Sequence, residues 1–238
     1  MNEKTVWKTE YFDEICSTNE YLKSKRQERQ NYIAVARRQS GGRGTKGRSF
    51  SSNEGGVYLS VLTFYDDFLA KNAFQIMAST AVAVAKTLEA FGLSPVIKWA
   101  NDIFVNGKKI CGILIENTFS GAYVDNAVVG VGLNVYNQLP SELTDIATTM
   151  EKELGKRLDL EKVTSTLLAE LKKPHAMDEY LKRVGYLGKK VTLVRGEEKS
   201  VVKLLSVDDA GGLNVQTERG EILRFVAGEI SLKVEEKE

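Results

Sequence analysis

The chain has 238 residues, one histidine, two cysteines and a formal net charge of +1. That length suits one large domain, or a main domain with a small appendix, and near-neutrality excludes a general nucleic-acid or membrane-surface binder, which needs a basic excess over a whole face. The single histidine, His175, disfavours histidine triads and most zinc sites, so any chemistry must rest on lysine, arginine, carboxylate, amide or a bound metal.

Ser17-Thr18-Asn19-Glu20 reads as a capping box that opens a helix at Tyr21-Leu22. Tyr32 to Ala36 is a short apolar run suited to a buried strand, and it leads into a cationic loop; Val57 to Leu62 is the next strand. Apolar residues from Ala73 to Phe91 recur at helical spacing, and Gly92 with Pro95 ends that helix. Val96 to Trp99, Asp102 to Val105 and Lys108 to Glu116 read as strands, with Asn106-Gly107 predicting a type I′ hairpin. Ala127 to Val135 is a further strand holding two glycines, and residues 160–184 read as helix broken near Pro174. After Gly185, short apolar runs at 191–194, 201–207, 213–215 and 222–226 alternate with glycine turns, the texture of a small all-β domain of about 50 residues. No apolar run approaches the roughly 20 residues of a bilayer span, and the N-terminus carries no signal pattern, so a cytoplasmic protein without membrane contact is expected. Cys16 and Cys111 match no metal-ligand spacing and read as two free thiols.

The loop Arg37-Arg38-Gln39-Ser40-Gly41-Gly42-Arg43-Gly44-Thr45-Lys46-Gly47-Arg48 holds five cations, four glycines and no acid in twelve residues. Glycine lets the backbone turn tightly and approach a ligand, and exposed N–H groups with Arg and Lys side chains make a concave anion site, most simply for phosphate. Gly42 to Ser49 is one substitution from a Walker A loop, but that motif opens a helix, whereas turn residues 51–56 and then a strand follow here. A solvated basic surface loop is the plainer alternative. So many adjacent like charges predict a loop that is mobile until an anion binds.

The second signal is Lys98-Trp99-Ala100-Asn101-Asp102, joined through the hairpin to Lys109. Strict alternation along a strand puts Lys109 on one face with Cys111, Ile113 and Ile115; an ammonium on that apolar face is costly unless an anion meets it. Lys109 at the start of its strand also has the option of reaching solvent. Gly130 and Gly132 clear one face of the sheet and leave Asn134 offering an amide there. Ser17-Thr18-Asn19, taken alone, is more often a helix cap than a ligand contact.

Together, from about Cys16 onward, the Ser-Thr-Asn helix start, the Gly-Arg-Gly-x-x-Gly-Arg loop, Lys-Trp-x-Asn-Asp, Lys-Lys-x-x-Gly-Ile-Leu-x-Glu, Gly-x-Gly-Leu-Asn-Val and Gly228-Glu229-Ile230-Ser231-Leu232 resemble biotin protein ligases, in that family's order. The resemblance implies an α+β fold: a mixed β-sheet flanked by helices of the class II synthetase-like kind over residues 1–184, then a small Src-homology-like β-barrel over 185–238. It implies activation of biotin by ATP to biotinyl-5′-AMP with release of pyrophosphate, then transfer to a lysine of the biotin carboxyl carrier domain of a biotin-dependent carboxylase. Ser17, Thr18, Asn19, Gln39, Gly41, Arg43, Gly44, Thr45, Lys109 and Gly112 would line the biotin pocket. Arg43, Arg48, Phe50, Lys98, Asn101, Asn134 and Lys233 would meet ATP, with Asp102 and Asn134 on Mg²⁺. Lys109, between biotin carboxylate and α-phosphate, and Arg43 are the implied catalytic residues.

The residues suit that reaction, because it drives a carboxylate against a triphosphate. Two unit charges about 4 Å apart repel by roughly 4 kcal/mol at an effective dielectric of about 20, and Arg43, Lys46, Arg48 and Lys109 offset several such terms. Three positions depart from the family pattern: Thr45 replaces an arginine, Ala100 a proline and Phe50 a tryptophan. Only about 16 residues precede the Ser-Thr-Asn motif, so a monofunctional ligase without a helix-turn-helix, and without DNA as partner, is expected; a homodimer is compatible. The rivals are lipoate or octanoyl transfer in the same superfamily, suggested by residues 37–42, and a non-catalytic nucleotide or RNA binder, which should bind RNA with steep salt dependence.

Overall fold

The apolar runs between residues 32 and 133 build one sheet, in a computed structural model that describes residues 6–227 and 231–233. Its strands are β1 (Lys8–Ile15), β2 (Tyr32–Gln39), β3 (Val57–Phe64), β4 (Val96–Lys98), β5 (Asp102–Val105), β6 (Lys108–Ser120) and β7 (Tyr123–Leu133), in the order β1-β2-β3-β7-β6-β5-β4. β1 runs parallel to β2 and every other neighbouring pair is antiparallel, which gives the mixed sheet expected. The edge strand β1 has no counterpart among the sequence-predicted elements. Its sequence, Lys-Thr-Glu-Tyr-Phe-Asp-Glu-Ile, is mostly exposed and lacks an apolar face of normal width.

Helices cover both faces of this sheet. On one side lies α1 (Thr18–Ser24), whose Leu22 packs with Tyr32, Ala34, Leu62 and Val128. The Ser17 side chain caps it by accepting from Glu20 N at 3.4 Å, satisfying one of the orphan amides of the first turn. On the other side lie α2 (Phe74–Ala90), which buries Val82, Val84 and Leu88, and α4 (Leu160–Leu171), with Val163 and Leu167 facing inward. Each such aliphatic side chain contributes about 1.5–3 kcal/mol by burial. Two short helices, α3 (Met150–Leu154) and α5 (Met177–Arg183), complete the layer. His175 falls in the break between α4 and α5, its Nε2 at 3.1 Å from the Glu170 carbonyl oxygen.

Two local features position the site. Asn106 and Gly107 adopt φ of 47° and 72°, the double positive φ of a type I′ turn. The β5–β6 pairing then slips: Ile103 faces Cys111, but Phe104 faces Lys109, leaving Ile110 as an extra residue. This β-bulge reverses the alternation expected for Lys109. Lys109 lies not with Cys111 but on the face of Gly112 and Asp102, the residue paired with Gly112.

The chain after α5 forms a second, wholly antiparallel sheet of β8 (Lys190–Arg195), β9 (Glu198–Val207), β10 (Leu213–Thr217), β11 (Ile222–Phe225) and β12 (Ser231–Lys233), in the order β11-β10-β9-β8-β12. It is keyed to the first at Gly211, whose carbonyl accepts from Trp99 Nε1 at 3.1 Å. Gly211 has φ +82°, and a Cβ there would lie 2.1 Å from Phe74 Cδ2, so both the conformation and the space require glycine.

Candidate active site

Three glycines form the floor. Gly132 pairs with Gly112 across β6–β7, and Gly130 stands two residues along β7, on the same face as Gly132 and Val128. A Cβ on Gly130 would lie 2.1 Å from Asn19 Oδ1, and one on Gly132 would lie 2.5 Å from Phe50 Cε1. One on Gly112 would lie 3.1 Å from Phe50 Cε2 and 3.3 Å from Lys109 Nζ. The bare strand backbone therefore lets Asn19 descend at one end, and Phe50 with Lys109 at the other.

The Asn19 end is polar and buried. Gln39 Oε1 accepts from Thr18 N at 2.9 Å and Thr18 Oγ1 at 3.1 Å, and Gln39 Nε2 donates to Ser52 Oγ at 2.9 Å. Ser60 Oγ lies 2.7 Å from Thr18 Oγ1 and 2.6 Å from Asn19 Oδ1. Asn19 Nδ2 donates to Glu116 Oε2 at 3.0 Å. Ser17, which was expected to touch ligand, is occupied as the helix cap. Gly41 closes the rim: its N–H donates to Cys16 O at 2.8 Å, and a Cβ would lie 2.7 Å from Cys16 Sγ.

The other end is charged. Lys109 Nζ pairs with Asp102 Oδ1 at 2.6 Å, and Lys98 Nζ lies 4.9 Å from the Phe104 ring centroid. Burial holds the Lys98 ammonium below the ordinary lysine range; the Asp102 carboxylate pulls it up again, and the Lys109 and Arg48 charges push it further down. Lys98, Asp102, Arg48, Thr45 and Asn101 line a cleft of about 550 Å³. It opens where β5 begins opposite Gly112, so that β6 runs on without a strand neighbour on that side. The far wall comes from Phe74 and Met77 of α2 and from Gly211, Val226 and Leu232 of the second sheet. Asn101 Nδ2 bonds Ile113 O at 2.9 Å and fixes the turn to β6; the Trp99–Ala100 peptide bond in that turn is cis.

The cationic loop is tied back by hydrogen bonds from Gln39 N to Ser52 O at 3.1 Å and from Phe50 N to Gly42 O at 2.9 Å. Residues 45–47 make one 3-10 turn, not the helix of a Walker loop. Distant acids meet its charges: Arg37 pairs with Glu54 and Asp13, Arg38 with Glu14, and Arg43 with Glu20 at 3.5 Å. These pairs relieve, at three residues, the like-charge repulsion from which a mobile loop was expected. Arg48 is held by Thr45, 3.4 Å from its Oγ1, and Gly44 N–H donates to Arg48 O at 2.6 Å.

Thus Thr18, Asn19 and Gln39 gather at one end, and Arg48, Phe50, Lys98, Asp102 and Lys109 at the other. Asn134 is only 4% exposed, with its Oδ1 accepting from Asn137 Nδ2 at 3.1 Å, and it is absent from the cleft wall. Among the described residues no cluster of three His, Cys, Asp or Glu side chains is placed to hold a metal. Residues 228–230 and the side chains of Lys46 and Lys233 lie outside the described residues. Ser60 and Glu116 were missed by sequence reasoning. Ser60 hides inside an apolar strand run, and only the period-two face it shares with Tyr58 and Leu62 would have flagged it.

Fold and site together define a two-ended pocket on a mixed sheet, amide-rich at one end and anion-seeking at the other. Residues 11–134 match the biotin/lipoate A/B protein ligase family, and residues 186–233 the biotin protein ligase C-terminal domain. A solved structure of the biotin protein ligase from Aquifex aeolicus in complex with biotin and ATP superposes with a TM-score of 0.77 at 31% identity, covering 95% of this chain and 98% of that one. The bifunctional ligase/repressor BirA of Bacillus subtilis (strain 168) is 33% identical over 215 residues, 84% of this chain; the chain spans 66% of that relative's length. The biotin–[acetyl-CoA-carboxylase] ligase of Paracoccus denitrificans is 28% identical over 199 residues, 75% of this chain and 81% of its own. The chain belongs to the biotin/lipoate A/B protein ligase family.

Proposed function

We propose that this protein joins biotin and ATP to give biotinyl-5′-AMP and pyrophosphate, then transfers the biotinyl group to a lysine of a biotin carboxyl carrier domain. The observation that carries this reading is the position of Lys109 Nζ, paired with Asp102 at 2.6 Å and 3.3 Å from where a Cβ on Gly112 would stand, on the glycine floor that also receives Phe50 and Asn19. In the first step a carboxylate oxygen of biotin bonds to the α-phosphorus, and the bond from that phosphorus to the bridging oxygen of pyrophosphate breaks. Lys109 neutralises the approaching carboxylate and the charge that gathers on the α-phosphoryl oxygens. Lys98 and Arg48 hold the departing pyrophosphate. In the second step the neutral amine of the carrier lysine attacks the acyl carbon, AMP leaves with the bonding pair, and the amine loses a proton.

Asp102 is the one carboxylate lining the cleft among the described residues, and a Mg²⁺ ion that arrives with a triphosphate needs only one or two carboxylates from its protein. Asp102 fits that part; such an ion supplies further neutralisation of phosphate charge. The C-terminal sheet, which walls the cleft, favours biotin over lipoate as substrate, since its residues match a biotin protein ligase domain.

The direct test is incubation with biotin, ATP, Mg²⁺ and a carrier domain, followed by intact-mass measurement. One added biotinyl group per carrier is expected; no mass change, or modification by lipoate instead, refutes the reading. Arg43 is 65% exposed and its side chain is held, among the described residues, by Glu20 at 3.5 Å, so it is free to close on a bound adenylate. Arg43→Ala is expected to release free biotinyl-AMP into solution about tenfold faster, measured by rapid filtration, with pyrophosphate release little changed. Lys98 carries the pH dependence. A bound triphosphate favours the protonated amine, so affinity for ATP should begin to fall with rising pH before the ordinary lysine range is reached. Lys98→Arg, whose guanidinium keeps its charge there, should flatten that slope; equal slopes by titration calorimetry in both proteins would discard the assignment.

A further inference from the structure

Glu116 lies under the amide-rich end without lining the cleft. It projects from β6 on the face of Gly112, since it pairs with Val128 two residues from Gly130. One carboxylate oxygen accepts from Asn19 Nδ2 at 3.0 Å and the other from Lys23 Nζ at 2.8 Å; its backbone carbonyl accepts from Arg26 at 2.9 Å. Burial raises the pKa of this carboxyl, but the Lys23 and Asn19 hydrogen bonds outweigh it and hold the group below the ordinary glutamate value.

An ionised carboxylate accepts hydrogen bonds and cannot donate them. Asn19 must therefore turn its NH₂ toward Glu116 and its oxygen toward Ser60 and Gly130, and a buried amide in this position has no solvent to correct a wrong choice. That direction propagates: with Asn19 Oδ1 accepting, the Ser60 hydroxyl donates to it at 2.6 Å, and the one Thr18 hydroxyl proton goes to Gln39 Oε1 at 3.1 Å. A lone pair on Thr18 Oγ1 is then left to accept, and the second Asn19 N–H is left to donate.

We propose that Glu116 is a positioning residue that fixes the donor and acceptor pattern of this pocket, so that it selects a ring presenting N–H groups beside a carbonyl, as a cyclic urea does. This rests on the biotin reading above. Lys23 supplies the counter-charge but does not touch Asn19, and at a partly exposed pair its removal should cost little stability.

The experiment measures steady-state pyrophosphate release with biotin, and with a biotin methylated on one ring nitrogen, in the wild type and in Glu116→Ala, Glu116→Gln and Lys23→Met. For Glu116→Ala the KM for biotin should rise about tenfold, the effect of losing one charge-assisted hydrogen bond, with kcat and the KM for ATP within about twofold. Its preference for biotin over the methylated ring should shrink, because an unanchored Asn19 can present either end. Glu116→Gln can also offer N–H to Asn19 and should show the same loss of discrimination if the alanine variant folds poorly. Lys23→Met should keep the discrimination of the wild type. Unchanged discrimination in both Glu116 variants, or equal losses for biotin and ATP together with a lowered Tm, overturns the proposal. A wild type that turns over no biotin overturns the functional reading instead.

Discussion

Replacing Lys109 with alanine is expected to slow biotinyl-AMP formation by about 10²–10³-fold, the usual cost of removing one preorganised charge from a developing anion, while the Tm stays within a few degrees of wild type. The two halves of that expectation come from different observations. The rate effect follows from where the ammonium sits: the bulge at Ile110 turns it onto the glycine floor, where its Nζ is 3.3 Å from the place a Cβ on Gly112 would take. The stability half follows from exposure. The Lys109 side chain is 33% exposed and its ion pair with Asp102 is partly solvated, so its loss should remove no more than about 1 kcal/mol. Arginine should not restore the rate, because a planar fork is not a compact point charge on a flexible stem. Pyrophosphate release measured beside thermal unfolding checks both halves, and an unaltered rate in Lys109→Ala would remove this residue from the chemistry.

A single methyl group at Gly130 should be nearly as damaging to the other substrate. The added carbon would lie 2.1 Å from Asn19 Oδ1, far inside van der Waals contact, so one of the two must move. Asn19 cannot swing away freely, since Glu116 and Ser60 hold both ends of its amide. Overpacking of this kind costs about 1–3 kcal/mol, and the displaced amide no longer meets a ring in its pocket. Gly130→Ala should raise the KM for biotin by about 10–100-fold, with the KM for ATP close to wild type. Gly132→Ala should do the reverse, because its methyl group would strike Phe50 at 2.5 Å instead. Identical kinetic damage from the two variants would contradict a floor shared by two separate ends.

Much of this arrangement was legible in the residues themselves. Asn106-Gly107 announced its turn because two adjacent positive φ values are rarely reached otherwise. Gly130 and Gly132 announced a cleared face because alternate strand positions share one side. The short runs after Gly185 resolved into β8 to β11 as expected. Three features were not legible, each for a physical reason. The bulge at Ile110 leaves no compositional mark, and an unbroken period of two assigned Lys109 to the wrong face. The partners of the cationic loop come from β1 and from Glu20 and Glu54, outside the run that was counted. Asn134 followed its motif, yet its amide is engaged by Asn137, three residues on, in a turn that propensity alone does not reveal.

The carbonyl of Gly211 that receives the Trp99 indole carries a wider consequence. The amide-rich end is propped from beneath by the first helix, whereas the charged cleft owes one of its sides to a turn from a different sheet. Damage to either support should leave a recognisable kinetic fingerprint, one small molecule losing its grip while the other keeps it. Evolution or design can therefore retune the two affinities separately on a single frame.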